Sequence, residues 1–346
     1  MIKRMVFVAI AIMMLGVSLP ANAGFFDLLK NKLGFGEYYE GKTVTLLIGA
    51  GPSGGTSMYG HLVKQFLGKH LPGNPKVIVV NKQGGGGIKM GNLLASGKID
   101  STDGTKVALF PGSFPLAASA IPTSSKMKYG PADFVAVGSL LNEATIVAVR
   151  ADSKVKTVYD LRNLGFRWPA SGKGASPSLV PELLNKTFGT NNRPVYGYLG
   201  SGVMIKSIAA GETDAIAMAM STLKKKAKIV PLRYILAIGL KETIPEGIPN
   251  IQDLLTDEKD KILWNFFAKS NVFARTFVVH KDTPKEAQIL LTKAFWKMMR
   301  DPEFIKFTTE KKLPIGGGTV EDANKALKFY ANLNPVLRKQ LQDMVK

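Results

Sequence analysis

The sequence predicts an α/β protein with parallel sheets covered on both faces, and three observations carry the prediction. From Lys42 onward, short apolar runs of strand length alternate with longer amphipathic runs of helix length. The strand runs are apolar at nearly every position, which suits a strand buried on both faces between helices. The helix runs open on capping residues, and the connections are rich in Gly, Ser and Thr.

In chain order, strands are expected over 44–48, 76–81, 106–110, 134–141, 145–150, 193–198, 215–220, 233–238 and 273–280. Helices are expected over 58–70, 88–96, 157–164, 179–187, 204–210, 285–299, 302–310 and 320–344, the last broken near Pro335. Thr283, Pro284, Lys285 and Glu286 set a capping hydroxyl, a first-turn proline and an early acid before the run at 285–299. Asp301-Pro302-Glu303 repeats that grammar, as does Thr319 followed by Glu321 and Asp322. Asp257 to Lys261 reads as a mixed-charge surface turn, and there is no internal repeat.

The first residues point to export. Lys3 and Arg4 precede an apolar run to Leu19, and Ala21-Asn22-Ala23 is a small-x-small cleavage site, so 1–23 reads as a signal peptide cut after Ala23. The apolar run is short of the roughly 20 residues that span a bilayer. With no cysteine, neither disulfides nor a lipidated N-terminal Cys is possible. Export to the periplasm as a soluble protein is the expectation, with 24–41 as an N-terminal arm. Cleavage lowers the net charge of +20 to +18 and leaves 323 of the 346 residues, enough for two domains. Such a basic balance leans toward acidic ligands, and outside the cytoplasm nucleic acid is not an expected partner. Lys224, Lys225, Lys226 and Lys228 read as a solvated helix end.

Three motif matches fail on context. Gly36 to Thr43 fits the P-loop pattern, but a strand follows where a helix is required. Gly49-Ala-Gly51-Pro-Ser-Gly54 fits the dinucleotide fingerprint, yet the second strand ends on Asn81 and Lys82 rather than on the acid that holds a ribose. Gly51-Pro-Ser53-Gly-Gly55 fits a nucleophile elbow with His280 downstream, which keeps an exported serine hydrolase using Ser53 and His280 as the alternative reading. A hydrolase elbow normally follows several strands, whereas this loop follows the first. No His pair or acidic cluster suggests a metal, and no cofactor is expected.

The same loop reads more simply as an anion site. In Thr43 to Ser57 (TVTLLIGAGPSGGTS) a Gly-rich turn joins a strand end to a helix start, where unpaired amides and the positive helix end meet.

Four landmarks then give the chain a family resemblance: Leu47 to Ser57, Asn81 to Gly91 (NKQGGGGIKMG), Asp103-Gly104-Thr105 with Pro111 to Phe114, and Tyr198 to Gly202 followed by Gly211 to Asp214. In this order, and followed by 279–284 and Asp301-Pro302-Glu303, they resemble the periplasmic solute receptors of tripartite tricarboxylate transporters, also called Bug-type receptors. The resemblance covers the chain from about Tyr38 onward. It implies a type II periplasmic binding protein fold, two α/β domains with crossover strands and a ligand cleft between them. Domain 1 would hold 42–140 and 232–346, and domain 2 would hold 141–231.

The resemblance also implies a non-enzymatic receptor, a monomer, that binds a small organic anion by closure of two lobes. A carboxylate would be the ligand, delivered to integral membrane permease subunits. Carried over residue by residue, the site would use Ser53, Gly54, Gly55, Thr56 and Ser57 on one side. The other side would use Ser171, Gly172, Ala175, Tyr198, Gly200, Ser201 and Gly202, with Gly112 and Ser113 at the floor. The chain departs from the family pattern where Ser57 and Met218 replace usual acids and His61 replaces an arginine. Arg167 and Lys173 are candidate partners for a ligand carboxylate, Trp168 is a candidate wall, and Gly84 to Gly87 read as close-packing glycines.

Overall fold

The computed structural model describes residues 38–97, 102–110, 126–162, 164–173 and 175–345. The signal peptide, most of the arm, the P-loop match up to Glu37, and Gly112 and Ser113 lie outside the described residues.

The strands are β1 (Thr43–Ile48), β2 (Lys76–Asn81), β3 (Lys106–Leu109), β4 (Phe134–Ser139) and β5 (Thr145–Arg150). They continue with β6 (Arg167–Ala170), β7 (Arg193–Tyr196), β8 (Ala215–Ala219), β9 (Leu232–Ile238) and β10 (Thr276–His280). The first five helices are α1 (Gly55–Phe66), α2 (Ile88–Ala95), α3 (Ser176–Phe188), α4 (Ser201–Ala209) and α5 (Met220–Lys226). The rest are α6 (Glu258–Ser270), α7 (Lys285–Met298), α8 (Pro302–Glu310), α9 (Val320–Ala331) and α10 (Pro335–Val345).

Three sheets result, ordered β2-β1-β3-β10-β4, β8-β5-β9 and β6-β7. The expectation of parallel sheets holds for β1 with β2 and β3, and for β6 with β7. It fails elsewhere, because β10 runs antiparallel to both β3 and β4, and β5 runs antiparallel to both β8 and β9. A strand buried on both faces is apolar throughout whichever way its neighbour runs, so composition does not report direction. β5 shows this in its two faces: Val147 and Val149 join the main core, while Ile146 and Ala148 face a second cluster with Ile205, Ile216 and Leu223.

β9 pairs with β5 from Leu232 beside Arg150 to Ile238 beside Thr145, so the chain stays with the three-stranded sheet there. It remains on that side through α6, whose Trp264 donates from Nε1 to Thr187 Oγ1 of α3, and returns to the five-stranded sheet only at β10. Among the described residues two chain crossings connect the two sheets, at 140–144 and at 271–275, and the chain crosses back once more to pack α10 on α3.

The mixed-charge turn at 257–261 is in fact the start of α6, with Asp257 accepting from the amides of Lys259 and Asp260. Trp168 is fully buried and donates to Asn192 Oδ1, so it packs the core rather than walling a ligand. Among the described residues no helix is long and apolar enough to cross a membrane.

Candidate functional site

The site is built on the ends of elements. β1 stops at Ile48, and Gly49 still donates to Leu109 O on β3, so the loop leaves the sheet at its carboxyl edge. The chain then turns through a Gly54 N to Gly51 O bond and enters α1 at Gly55, three residues before the expected start at 58. Ser57 is wholly buried behind this loop: its hydroxyl donates to Gly51 O (2.8 Å) and accepts from Asn81 Nδ2 (2.7 Å). Asn81 also donates to Ala50 O, so the residue that ends β2 braces the loop from below.

The start of α1 is left without a side-chain cap, because the N-cap residue is Gly54. Its first amide, Gly55 N, donates to Ser201 Oγ (3.1 Å). The next two amides, of Thr56 and Ser57, have no protein acceptor among the described residues. Two further helices begin at the same place, also without side-chain caps: α3 after Ala175 and α4 after Gly200. Unpaired amides at a helix start carry partial positive charge, so the region favours an anion before any side chain is counted.

Between these starts lies a cavity of about 100 Å³, several times the room one water needs. The loop of Gly49, Ala50 and Gly51, with Gly54, Gly55 and Thr56, forms one wall, continued by Gln83, Gly84 and Gly86. The facing wall is Ser171, Ala175, Ser176, Pro177, Leu199, Gly200, Ser201 and Met204, with Met218 and its neighbours on β8. Two glycines permit the walls to meet. A Cβ on Gly55 would sit 2.3 Å from Thr222 Oγ1, and one on Gly172 (φ 154°) would sit 2.6 Å from Gly85 C. Gly84 to Gly87 are all at positive φ, as a tight turn requires, and Gly84 and Gly86 also line the cavity.

The floor carries a buried ion pair between the two chain crossings. Arg275 Nη2 lies 3.2 Å from Glu143 Oε1, with both side chains nearly excluded from solvent. Glu143 also accepts from Ser221 N (2.7 Å) and Ser221 Oγ (2.8 Å), so its carboxylate caps the first turn of α5. The guanidinium bonds Thr222 Oγ1 and Ala274 O and stacks 4.6 Å over the Tyr59 ring, but its Nε has no partner. Burial pushes the Tyr59 hydroxyl up, against the opposing pull of Arg275.

Of the residues named from sequence, Gly54, Gly55, Thr56, Ser171, Ala175, Gly200 and Ser201 line this cavity together. Ser53 sits exposed at the rim, its Oγ against Gly200 and Gly202. Ser57 and Gly172 support the walls from behind, and Tyr198 reaches Glu212 at a long 3.4 Å. Arg167 is spent on Asp214 and on Gly211 O, away from the cavity. Sequence reasoning missed Glu143 and Arg275. Their signal is present, since each is a single charge inside an apolar run, and a charge that must be buried needs a partner.

The hydrolase reading loses its base. His280 Nε2 lies 3.3 Å from Ala95 O, and its Nδ1 accepts from Asp282 N, so both ring nitrogens are engaged away from Ser53. Among the described residues no group of His, Cys, Asp and Glu could hold a metal ion.

A cleft between α/β sheets, closed at its back by two chain crossings and lined by uncapped helix starts, defines the class of two-domain periplasmic binding proteins. The chain belongs to the tripartite tricarboxylate transporter family receptors, whose model matches residues 63–332. Solved structures agree on the fold. A periplasmic transporter is 21% identical, with 89% of this chain and 97% of that one covered and a TM-score of 0.65. MatC from Rhodopseudomonas palustris, with bound malate, is 15% identical over 88% of this chain and 99% of that one, TM-score 0.65. A second R. palustris protein, with adipate, is 19% identical over 86% and 97%, TM-score 0.65. No curated protein sequence matches the chain.

Proposed function

We propose that the protein is a periplasmic solute receptor that captures a small carboxylate in the cleft and delivers it to a tripartite tricarboxylate-type permease. The observation that carries this reading is the start of α1, where Gly55 and Thr56 line the cavity and the Thr56 amide has no acceptor of its own among the described residues. Main-chain donors hold a carboxylate without a full counter-charge, so the complex can form and still release its load. The malate and adipate bound by the two R. palustris proteins support the ligand class.

Binding would stabilise a closed arrangement of two lobes that pivot at 140–144 and 271–275. One lobe would hold 42–140 with the chain from β10 through α9, and the other would hold 141–270 with α10, which packs on α3 through Lys186 Nζ and Asp343 O. The receptor would act as a monomer after removal of 1–23, without catalysing a reaction. The test is a melting-temperature screen of the purified protein against millimolar carboxylates. At 100 times Kd a ligand adds about 2.7 kcal/mol of stability, so at least one carboxylate should raise the melting temperature by several degrees. A broad panel that shifts nothing would overturn the reading.

A further inference from the structure

The carboxylate reading leaves the rest of the ligand undefined, and the cleft walls define it. Among the described residues that line the cavity, the charged ones are Glu143 and Arg275, and they face each other. The floor therefore carries no net charge. Donors are concentrated on one side, where the Gly55 to Ser201 bond brings the starts of α1 and α4 to a single point. The start of α3 offers less, because its second residue is Pro177, which has no N–H, and Ser178 N already donates to Ala175 O. The remaining lining sets the apolar Leu199, Met204, Ala217 and Met218 beside the uncharged Gln83, Thr145, Ser171, Ser176 and Thr222.

We infer that the ligand is a monocarboxylate with an apolar body, and that Glu143 is a specificity-determining residue that excludes a second carboxylate by neutralising Arg275. This rests on the carboxylate reading above. The carboxylate sits at the joined starts of α1 and α4, and the body lies along Met204 and Met218. Among the described lining residues, a second carboxylate at the far end of the ligand finds only neutral hydroxyl and amide groups, the apolar residues, where it loses its hydration, or the Glu143 charge, and no cation that is not already paired. Removing the Glu143 charge exposes the Arg275 guanidinium, whose Nε is already without a partner.

The experiment is calorimetric titration with pairs differing only by methyl for carboxylate: butyrate and succinate, hexanoate and adipate, 4-methylbenzoate and terephthalate. In the wild-type protein the monocarboxylate of each binding pair should be favoured by about tenfold or more. Glu143→Gln, confirmed folded by its melting curve, should narrow or reverse that ratio by about tenfold. The Glu143→Gln, Arg275→Gln double variant has an uncharged floor again and should keep the wild-type order. Dicarboxylates binding wild type as well as or better than their partners would overturn the ligand class. An unchanged ratio in Glu143→Gln, with both affinities lowered alike, would reduce Glu143 to a structural role. Failure of all six compounds would instead count against the carboxylate reading itself.

Discussion

Three helices on the outside of the molecule and three at the cleft begin in opposite ways, although α7, away from the cleft, also starts without a side-chain cap after Pro284. α6, α8 and α9 are capped by their own residues: Asp257, Asp301 and Thr319 each accept from an amide of the first turn. α1, α3 and α4 follow Gly54, Ala175 and Gly200, and none has a side-chain cap. Capping is worth about 1 kcal/mol per helix, so three uncapped starts converging on one cavity forgo a stabilisation that α6, α8 and α9 take. The forgone acceptor is the one a bound anion would supply. α5 stands between the two groups, because it begins at the cleft yet takes Glu143 as its acceptor.

The largest effect should come from α5. Arg275→Gln leaves Glu143 buried without its partner, and we expect a loss of about 3–5 kcal/mol in denaturant unfolding. A loss near zero would show that Glu143 is satisfied by the start of α5 alone. Giving α1 the cap it lacks should come next. Gly54 has the extended backbone of an N-cap (φ −77°, ψ 154°), and its added Cβ would approach Gly51 O no closer than 3.2 Å. Gly54→Asp should therefore keep or raise stability by a few tenths of a kcal/mol, while ligand affinity falls tenfold or more in calorimetry. Undiminished affinity would place the anion elsewhere.

The smallest effect belongs to an outer cap. The Lys69 ammonium bonded to Asp301, with lesser help from its first-turn amide bond and from His70, holds this carboxyl at about 2 instead of 3.8. Because the folded value is the lower one, this contribution is complete above about pH 4 and disappears as the pH falls toward 2. Asp301→Asn keeps an acceptor at the N-cap but should flatten the dependence of stability on pH in that window. Its ligand affinity should equal that of wild type, and a change would link the outer surface to the cleft.

Much of this contrast is legible in the chain. Asp301-Pro302-Glu303 and Thr319 with Asp322 announce capped helices, and the expected 302–310 span is the observed α8. Gly51 to Ser57 announces an uncapped start, though the helix begins earlier than its apolar pattern because Gly55, Thr56 and Ser57 carry no hydrophobic signal. Asp257 could have been read as a cap, but the charges after it mask the spacing of Leu263, Phe266 and Phe267. β6 was not visible, since Arg167, Trp168 and Pro169 make a poor strand and pair only through tertiary contact with β7. The Glu143–Arg275 pair depends on how two distant chain crossings meet, and local pattern does not encode that.

A crystal structure of the protein soaked with a monocarboxylate that raises its melting temperature would test the site most directly. The carboxylate should lie within hydrogen-bond distance of the Thr56 amide at the start of α1, with the apolar body against Met204 and Met218. A carboxylate seated on Arg275, or a ligand that never touches the start of α1, would contradict the account.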